Sequence, residues 1–189
     1  MQYAHGGDIY TYKNLLDFSI NVNPLGPADA VVEAAARSLQ RIGEYPDSQS
    51  RELRNALAEK KGLAAEQFVI GNGAADLLFS LVLAEKPQKA MIVIPAFSEY
   101  EQALKTVGCE ILYHEVKKEN NFRLGTDLTE KITSELDFLF LCSPSNPAGQ
   151  AVEKEFLIKI AEKCEKERVR LVLDECCLLY TSPSPRDCS

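Results

Sequence analysis

Apolar residues in the first third of the chain recur at helical spacing. Val31, Val32, Ala35, Leu39 and Ile42 fall on one helical face, and Leu53, Ala56 and Leu57 mark a second helix that stops near Gly62. Ahead of them, Asn21-Val22-Asn23-Pro24-Leu25-Gly26-Pro27 carries two prolines and a glycine, which predict a fixed loop, and Tyr45-Pro46-Asp47 punctuates the chain again. From Phe68 onward the pattern alternates. Phe68-Val69-Ile70 predicts a strand ended by Gly71-Asn72-Gly73, and Ala74 to Ala84, nearly all apolar, predicts a buried helix. The unbroken apolar run from Ala90 to Ile94 predicts a strand covered on both faces. Ser98-Glu99-Tyr100-Glu101 has the form of a capping box, followed by Ala103, Leu104 and Val107 at i+3, i+4 and i+7 from Tyr100. Strands are predicted at Glu110 to Val116, Phe138 to Leu141 and Val169 to Leu173. A helix carrying Phe156, Leu157, Ile160, Ala161 and Cys164 lies between the last two.

This alternation predicts an α/β fold with a mostly parallel sheet and helices on both faces. Ligands of such sheets sit at the carboxyl ends of the strands. The glycine-bearing and proline-bearing loops fall at those ends: Gly71-Asn72-Gly73, Pro95-Ala96-Phe97, Ser143 to Gly149, and Asp174-Glu175.

Composition narrows the class. The 189 residues are 46% hydrophobic and 26% charged, which suits a globular domain and excludes a disordered one. A net charge of −7 argues against nucleic acid as a partner. The longest apolar runs fall short of the ~20 residues of a membrane span, and MQYAHGGDIY has no signal-peptide character, so a cytoplasmic protein is expected. Cys109, Cys142 and Cys164 read as buried free thiols. No C-x-x-C spacing occurs, and only His5 and His114 could supplement a metal site, so none is expected.

Four places carry candidate chemistry. Gly73-Ala74-Ala75 opens a helix, where backbone N–H groups and the helix dipole favour a phosphate, although Gly73 serves a tight turn equally well. Asp76 reads as an acid that complements that dipole. Phe97, on the rim of a strand, either joins the core or stacks on a planar ring. Asn146 lies between Pro144 and Pro147, and an amide held that rigidly suits a ring hydroxyl or a carboxylate better than a plain turn does. Asp174 ends an apolar strand, where a carboxylate wants a cation; a helix cap, a salt bridge or a protonated pyridine nitrogen would each satisfy it.

In order and spacing these residues resemble the N-terminal half of fold-type I pyridoxal-phosphate enzymes, the aspartate aminotransferase superfamily (class I/II). The resembling stretches are His5-Gly6-Gly7-Asp8, Asp17 to Gly26, Tyr45-Pro46-Asp47, Gly71 to Ala75, Pro95 to Tyr100, Ser143 to Gly149 and Asp174-Glu175. The likeness is greatest to the threonine-phosphate decarboxylase and histidinol-phosphate aminotransferase branches, and the His-Gly-Gly opening and the Asn-x-Asn-Pro-Leu-Gly loop favour the former. The resemblance implies a three-layer sheet of the large domain, truncated, with an N-terminal arm. It would place the arm and part of a small domain at 1–45, a partial cofactor-binding domain at 46–176 and a non-native tail at 177–189. It implies pyridoxal 5′-phosphate as cofactor. Gly73, Ala74 and Ala75 would hold its phosphate, Phe97 would stack on its ring, Asn146 would bond its 3-hydroxyl, and Asp174 would pair with its nitrogen. Tyr45 would reach the phosphate of a partner subunit in a homodimer, and His5, Gly6, Asn21 and Asn146 would contact a small phosphorylated amino acid or amine.

The implied activity is decarboxylation of O-phospho-threonine in cobalamin biosynthesis, with transamination of histidinol phosphate as the alternative. The family's Schiff-base lysine follows the ring-pairing aspartate, yet none of the residues after Asp174 is lysine, and Cys176-Cys177 stand where relatives favour aromatics. An inactive fragment is therefore expected. A phospholigand-binding module without chemistry is an alternative of another class, although the chain lacks G-x-G-x-x-G. A purely structural protein would leave the asparagine loop unexplained.

Overall fold

The computed structural model describes residues 7–13, 16, 20, 23 and 25–177. The chain forms two compact units, Met1–Phe68 and Val69–Ser189.

The first unit holds the two helices its periodicity predicts. Helix α1 (Asp29–Ser38) carries Asp29 in its first turn and Arg37 in its last, both matched to the helix dipole, and runs on as a 3-10 turn to Arg41. Helix α2 (Arg51–Lys61) has no side-chain cap on Ser50. Asp47, from the Tyr-Pro-Asp punctuation, serves instead: its carboxylate accepts from the backbone N–H groups of Arg51 (2.8 Å) and Gln49 (3.1 Å). The helix stops at Gly62, whose φ of 65° is the left-handed conformation that glycine adopts without strain. No described residue of this unit is buried.

The second unit is built on four parallel strands: β1 (Lys89–Ile94), β2 (Glu110–Glu115), β3 (Phe138–Cys142) and β4 (Arg170–Asp174), in the order β2-β1-β3-β4. Four helices cover it: α3 (Ala74–Glu85), α4 (Ser98–Thr106), the single turn α5 (Leu128–Lys131) and α6 (Lys154–Glu167). The two-residue period of a strand sorts the core into two layers. Ala90, Ile92, Phe138 and Phe140 face α3 and α4, packing with Leu78, Val82, Tyr100 and Leu104. Met91, Leu139 and Leu141 pack on the other side with Leu128, Ile132, Ile160 and Cys164. The three-layer α/β arrangement and parallel sheet are as the sequence predicts. Cys109, Cys142 and Cys164 are buried free thiols, with burial pushing Cys109 and Cys164 up to about 11. Among the described residues no helix is long and apolar enough to cross a membrane.

Three expectations fail. Phe68-Val69-Ile70 is not a strand: it belongs to none of the sheet's three ladders, and Val69 is 76% exposed. Extended, apolar residues become a strand only when a neighbour supplies the hydrogen bonds. Helix α3 buries only a stripe, Leu78 and Val82, while Leu83 is 51% exposed. An outer-layer helix covers only the side that meets the sheet. The capping box does not form, because Phe97 is the N-cap and Ser98 already lies inside α4, its hydroxyl bonding the Glu99 carboxylate at 3.0 Å.

Candidate cofactor site at the carboxyl edge of the sheet

The strands end together on one edge: Ile94 pairs with Glu115, and Cys142 with Asp174. Helix α3 starts at that edge. Its carboxyl end, Glu85-Lys86, shares a groove with Gln88, Phe138 and Arg170 at the strands' beginnings. Its twelve residues span about 18 Å, close to the ~20 Å of a six-residue strand, and so return Gly73 to the carboxyl end.

Gly73 is the N-cap of α3, with φ 88° and no side-chain cap. A Cβ there would meet nothing within 4 Å, so the space over the first turn is open. Asp76 turns back to accept from the Asn72 N–H at 2.8 Å, which fixes the loop, and at Gly71 a Cβ would lie 2.8 Å from the Leu77 side chain, which would have to shift to admit it. The first N–H groups of α3 are thus left for an anion.

Phe97 follows β1 and caps α4. Its ring meets Tyr100 edge-on, with centroids 5.9 Å apart. Tyr100 is 1% exposed, stacks on Phe140 at 5.3 Å and donates its hydroxyl to Asp174 Oδ2 at 2.5 Å. Burial, then the neighbouring Asp174 carboxylate, pushes the Tyr100 phenol far above its ordinary range, so it stays a neutral donor. The other oxygen, Oδ1, accepts from the Cys176 N–H at 2.9 Å. Among the described residues no lysine or arginine forms an ion pair with Asp174. Beside Asp174, burial raises the Cys142 thiol, which donates to the Pro144 carbonyl at 3.2 Å.

Asn146 lies in the loop after β3. The loop is closed by backbone bonds from Ser145 to Gln150 and from Gly149 to Ser145, both 2.7 Å, and the peptide bonds before Pro144 and Pro147 are cis. The asparagine side chain is exposed, and no hydrogen bond to a described residue holds it.

The second unit thus brings Phe97 and Asp174 together through Tyr100 and sets Gly73, Ala74, Ala75 and Asn146 on the same edge. Tyr45, 100% exposed, belongs to the first unit. His5, Gly6 and Asn21 lie outside the described residues. Tyr100 is the residue that sequence reasoning missed as functional, since its place in the α4 period reads as core. The only signal was a hydroxyl on an otherwise apolar stripe.

An uncapped helix start, an acid that no described lysine or arginine neutralises and an aromatic rim on one edge of a parallel sheet define a domain suited to an anionic ligand with a cationic ring. Residues 13–176 match the Aminotransferase class I and II family, and the chain belongs to it. That family and the relatives below depend on pyridoxal phosphate. The chain is 38% identical over 180 residues to threonine-phosphate decarboxylase of Salmonella typhimurium, covering 91% of this chain and 50% of the relative. It is 35% identical over 154 residues to histidinol-phosphate aminotransferase of Methanococcoides burtonii, covering 79% and 42%. The crystal structure of histidinol-phosphate aminotransferase from Clostridium acetobutylicum matches with a TM-score of 0.77 at 27% identity, over 92% of this chain and 50% of that one. The chain spans about half the length of the curated relatives it matches.

Proposed function

We propose that this chain supplies the cofactor-holding part of a pyridoxal-phosphate-dependent decarboxylase acting on O-phospho-L-threonine in cobalamin biosynthesis. The carrying observation is Asp174. Its carboxylate closes β4 with a neutral donor on each oxygen, and no lysine or arginine among the described residues pairs with it. Neutral donors orient a carboxylate without cancelling its charge, which suits a cationic partner such as a protonated pyridine. The donor set fits the cofactor. The N–H groups of Gly73, Ala74 and Ala75 hold a phosphate, Phe97 flanks a ring, and Asn146 offers an unengaged amide to a ring hydroxyl or a substrate carboxylate. When bound, pyridoxal phosphate supplies an electron sink for charge released at the substrate α-carbon.

Tyr45 reaches the phosphate held by a second subunit, while His5, Gly6 and Asn21 take the substrate. None of these residues is the Schiff-base lysine, so the part proposed for this chain is binding, without turnover on its own. The substrate choice follows the 38% identity to threonine-phosphate decarboxylase. Transamination of histidinol phosphate is a second reading, favoured by the likeness to the Clostridium acetobutylicum structure.

Calorimetric titration with 4′-deoxypyridoxine 5′-phosphate, which keeps ring and phosphate but lacks the aldehyde, tests the site. Asp174→Asn is expected to weaken binding about tenfold or more. Equal affinity in both proteins would overturn the assignment. Titrating O-phospho-L-threonine and histidinol phosphate onto the loaded chain then tests the substrate, and tighter binding of histidinol phosphate turns the reading to the second branch.

A further inference from the structure

We propose that Tyr100 is a positioning residue for the Asp174 carboxylate, holding it in one orientation towards a cationic ring. The inference rests on the cofactor reading above and extends it to a residue that acts through Asp174.

The geometry comes from two registers. Phe140, Cys142 and Asp174 share a sheet face, because Cys142 pairs with Asp174 and side chains two apart on a strand point the same way. Tyr100 comes down on that face from α4, its ring stacked on Phe140. Ring and hydroxyl therefore have separate tasks: the ring is buried in the core, and the hydroxyl reaches past it to the strand end.

A carboxylate at the end of a strand has two free torsions. One donor on one oxygen would leave it to swing. Tyr100 on Oδ2 and the Cys176 N–H on Oδ1 fix both. Each oxygen keeps a lone pair, and both donors are neutral, so the carboxylate is held in a fixed place without a cation to cancel it. A lysine in place of Tyr100 would orient the acid equally well but neutralise it. Phenylalanine would fill the same space and leave the acid loose.

Tyr100→Phe removes the hydroxyl and keeps the ring. The 4′-deoxypyridoxine 5′-phosphate titration is run on wild type, Tyr100→Phe and Asp174→Asn, with inorganic phosphate as a second probe and the absorption of the bound ring read near pH 8. The expected result is about threefold to tenfold weaker analogue binding in Tyr100→Phe, with a smaller fraction of protonated ring and unchanged phosphate binding. A merely structural role would weaken both probes together and leave the spectrum of the bound ring as in wild type; that result overturns the proposal. If Asp174→Asn weakens binding and Tyr100→Phe does not, this inference fails and the cofactor reading stands. If Asp174→Asn binds as wild type does, both fail. Should Tyr100→Phe not fold, the hydroxyl proton of Tyr100 decides by NMR: a slowly exchanging resonance in wild type, lost in Asp174→Asn, supports the proposal, and its absence from wild type overturns it.

Discussion

The two units of this chain spend their apolar residues differently. In Val69–Ser189 they meet each other: every buried hydrophobic residue of the described chain, from Leu78 to Val169, lies there. In Met1–Phe68 they face outward, with Val31 61%, Leu39 63%, Ile42 81% and Leu53 50% exposed. Both units have well-formed helices with clear periodicity. Periodicity therefore establishes that a helix forms, whereas burial depends on a second layer to receive its apolar stripe. The sheet provides that layer in one unit, and nothing among the described residues provides it in the other.

The sharpest way to break this contrast is to cut one side chain from each unit. Phe140→Ala removes a ring that is 1% exposed, stacked on Tyr100 and central to its layer, and is expected to cost about 3–5 kcal/mol. Val32→Ala, at a site 51% exposed, should stay within about 0.5 kcal/mol. Urea unfolding followed by circular dichroism compares them, the chain having no tryptophan to report by fluorescence. Comparable losses would mean that the first unit has a core the contrast denies.

Two aspartates sharpen the comparison further. Asp47 accepts N–H bonds from residues two and four positions on, so its work is local to α2. Asp137 accepts from Gln88 at 2.6 Å and Lys89 at 3.0 Å, residues 49 and 48 positions away, and so ties the start of β1 to the turn before β3. Asp137→Ala is expected to lower global stability by about 1–3 kcal/mol. Asp47→Ala should fray α2, seen as faster amide exchange over Arg51–Lys61, with the sheet's exchange unchanged.

The same contrast explains what the sequence could reveal. Strands β1 and β3 were legible because a strand covered on both faces is a continuous apolar run, β4, a half-buried edge strand, because of its run Leu171-Val172-Leu173, and α2 because Gly62 stops it. Phe68-Val69-Ile70 was misread because strand formation depends on a neighbour, which no local pattern records. The capping box failed because S-x-x-E fixes residue types but not which residue lies outside the helix. Within the candidate site, Gly73, Phe97, Asn146 and Asp174 stood out as odd residues at strand ends. Tyr100 did not, because its partner lies 74 positions away and only the fold brings them together. The assignments on His5, Gly6 and Asn21 rested on resemblance alone and fall outside the described residues.

A smaller effect separates the units by pH. His114, on β2, is 3% exposed, and its Nδ1 lies 3.1 Å from Lys131 Nζ, which also pairs with Asp127 at 3.1 Å. Burial, then the Lys131 charge, lowers its pKa below the ordinary 6.5, against a weaker opposing pull from Asp127. The fold therefore favours the neutral ring. Above about pH 6.5 neither state binds the proton, and the contribution is fully present. As pH falls through that value, the unfolded chain takes up a proton that the folded one resists. Stability drops until the folded pKa is reached, and then levels off. Thermal melting from about pH 7.5 to about pH 5.5 should show this loss in wild type and not in His114→Gln. Lys131→Met separates the two causes: it removes the repelling charge and leaves the burial, so the acid loss should shrink without vanishing. An unchanged loss would assign the whole shift to burial, and no loss at all would assign it to the lysine.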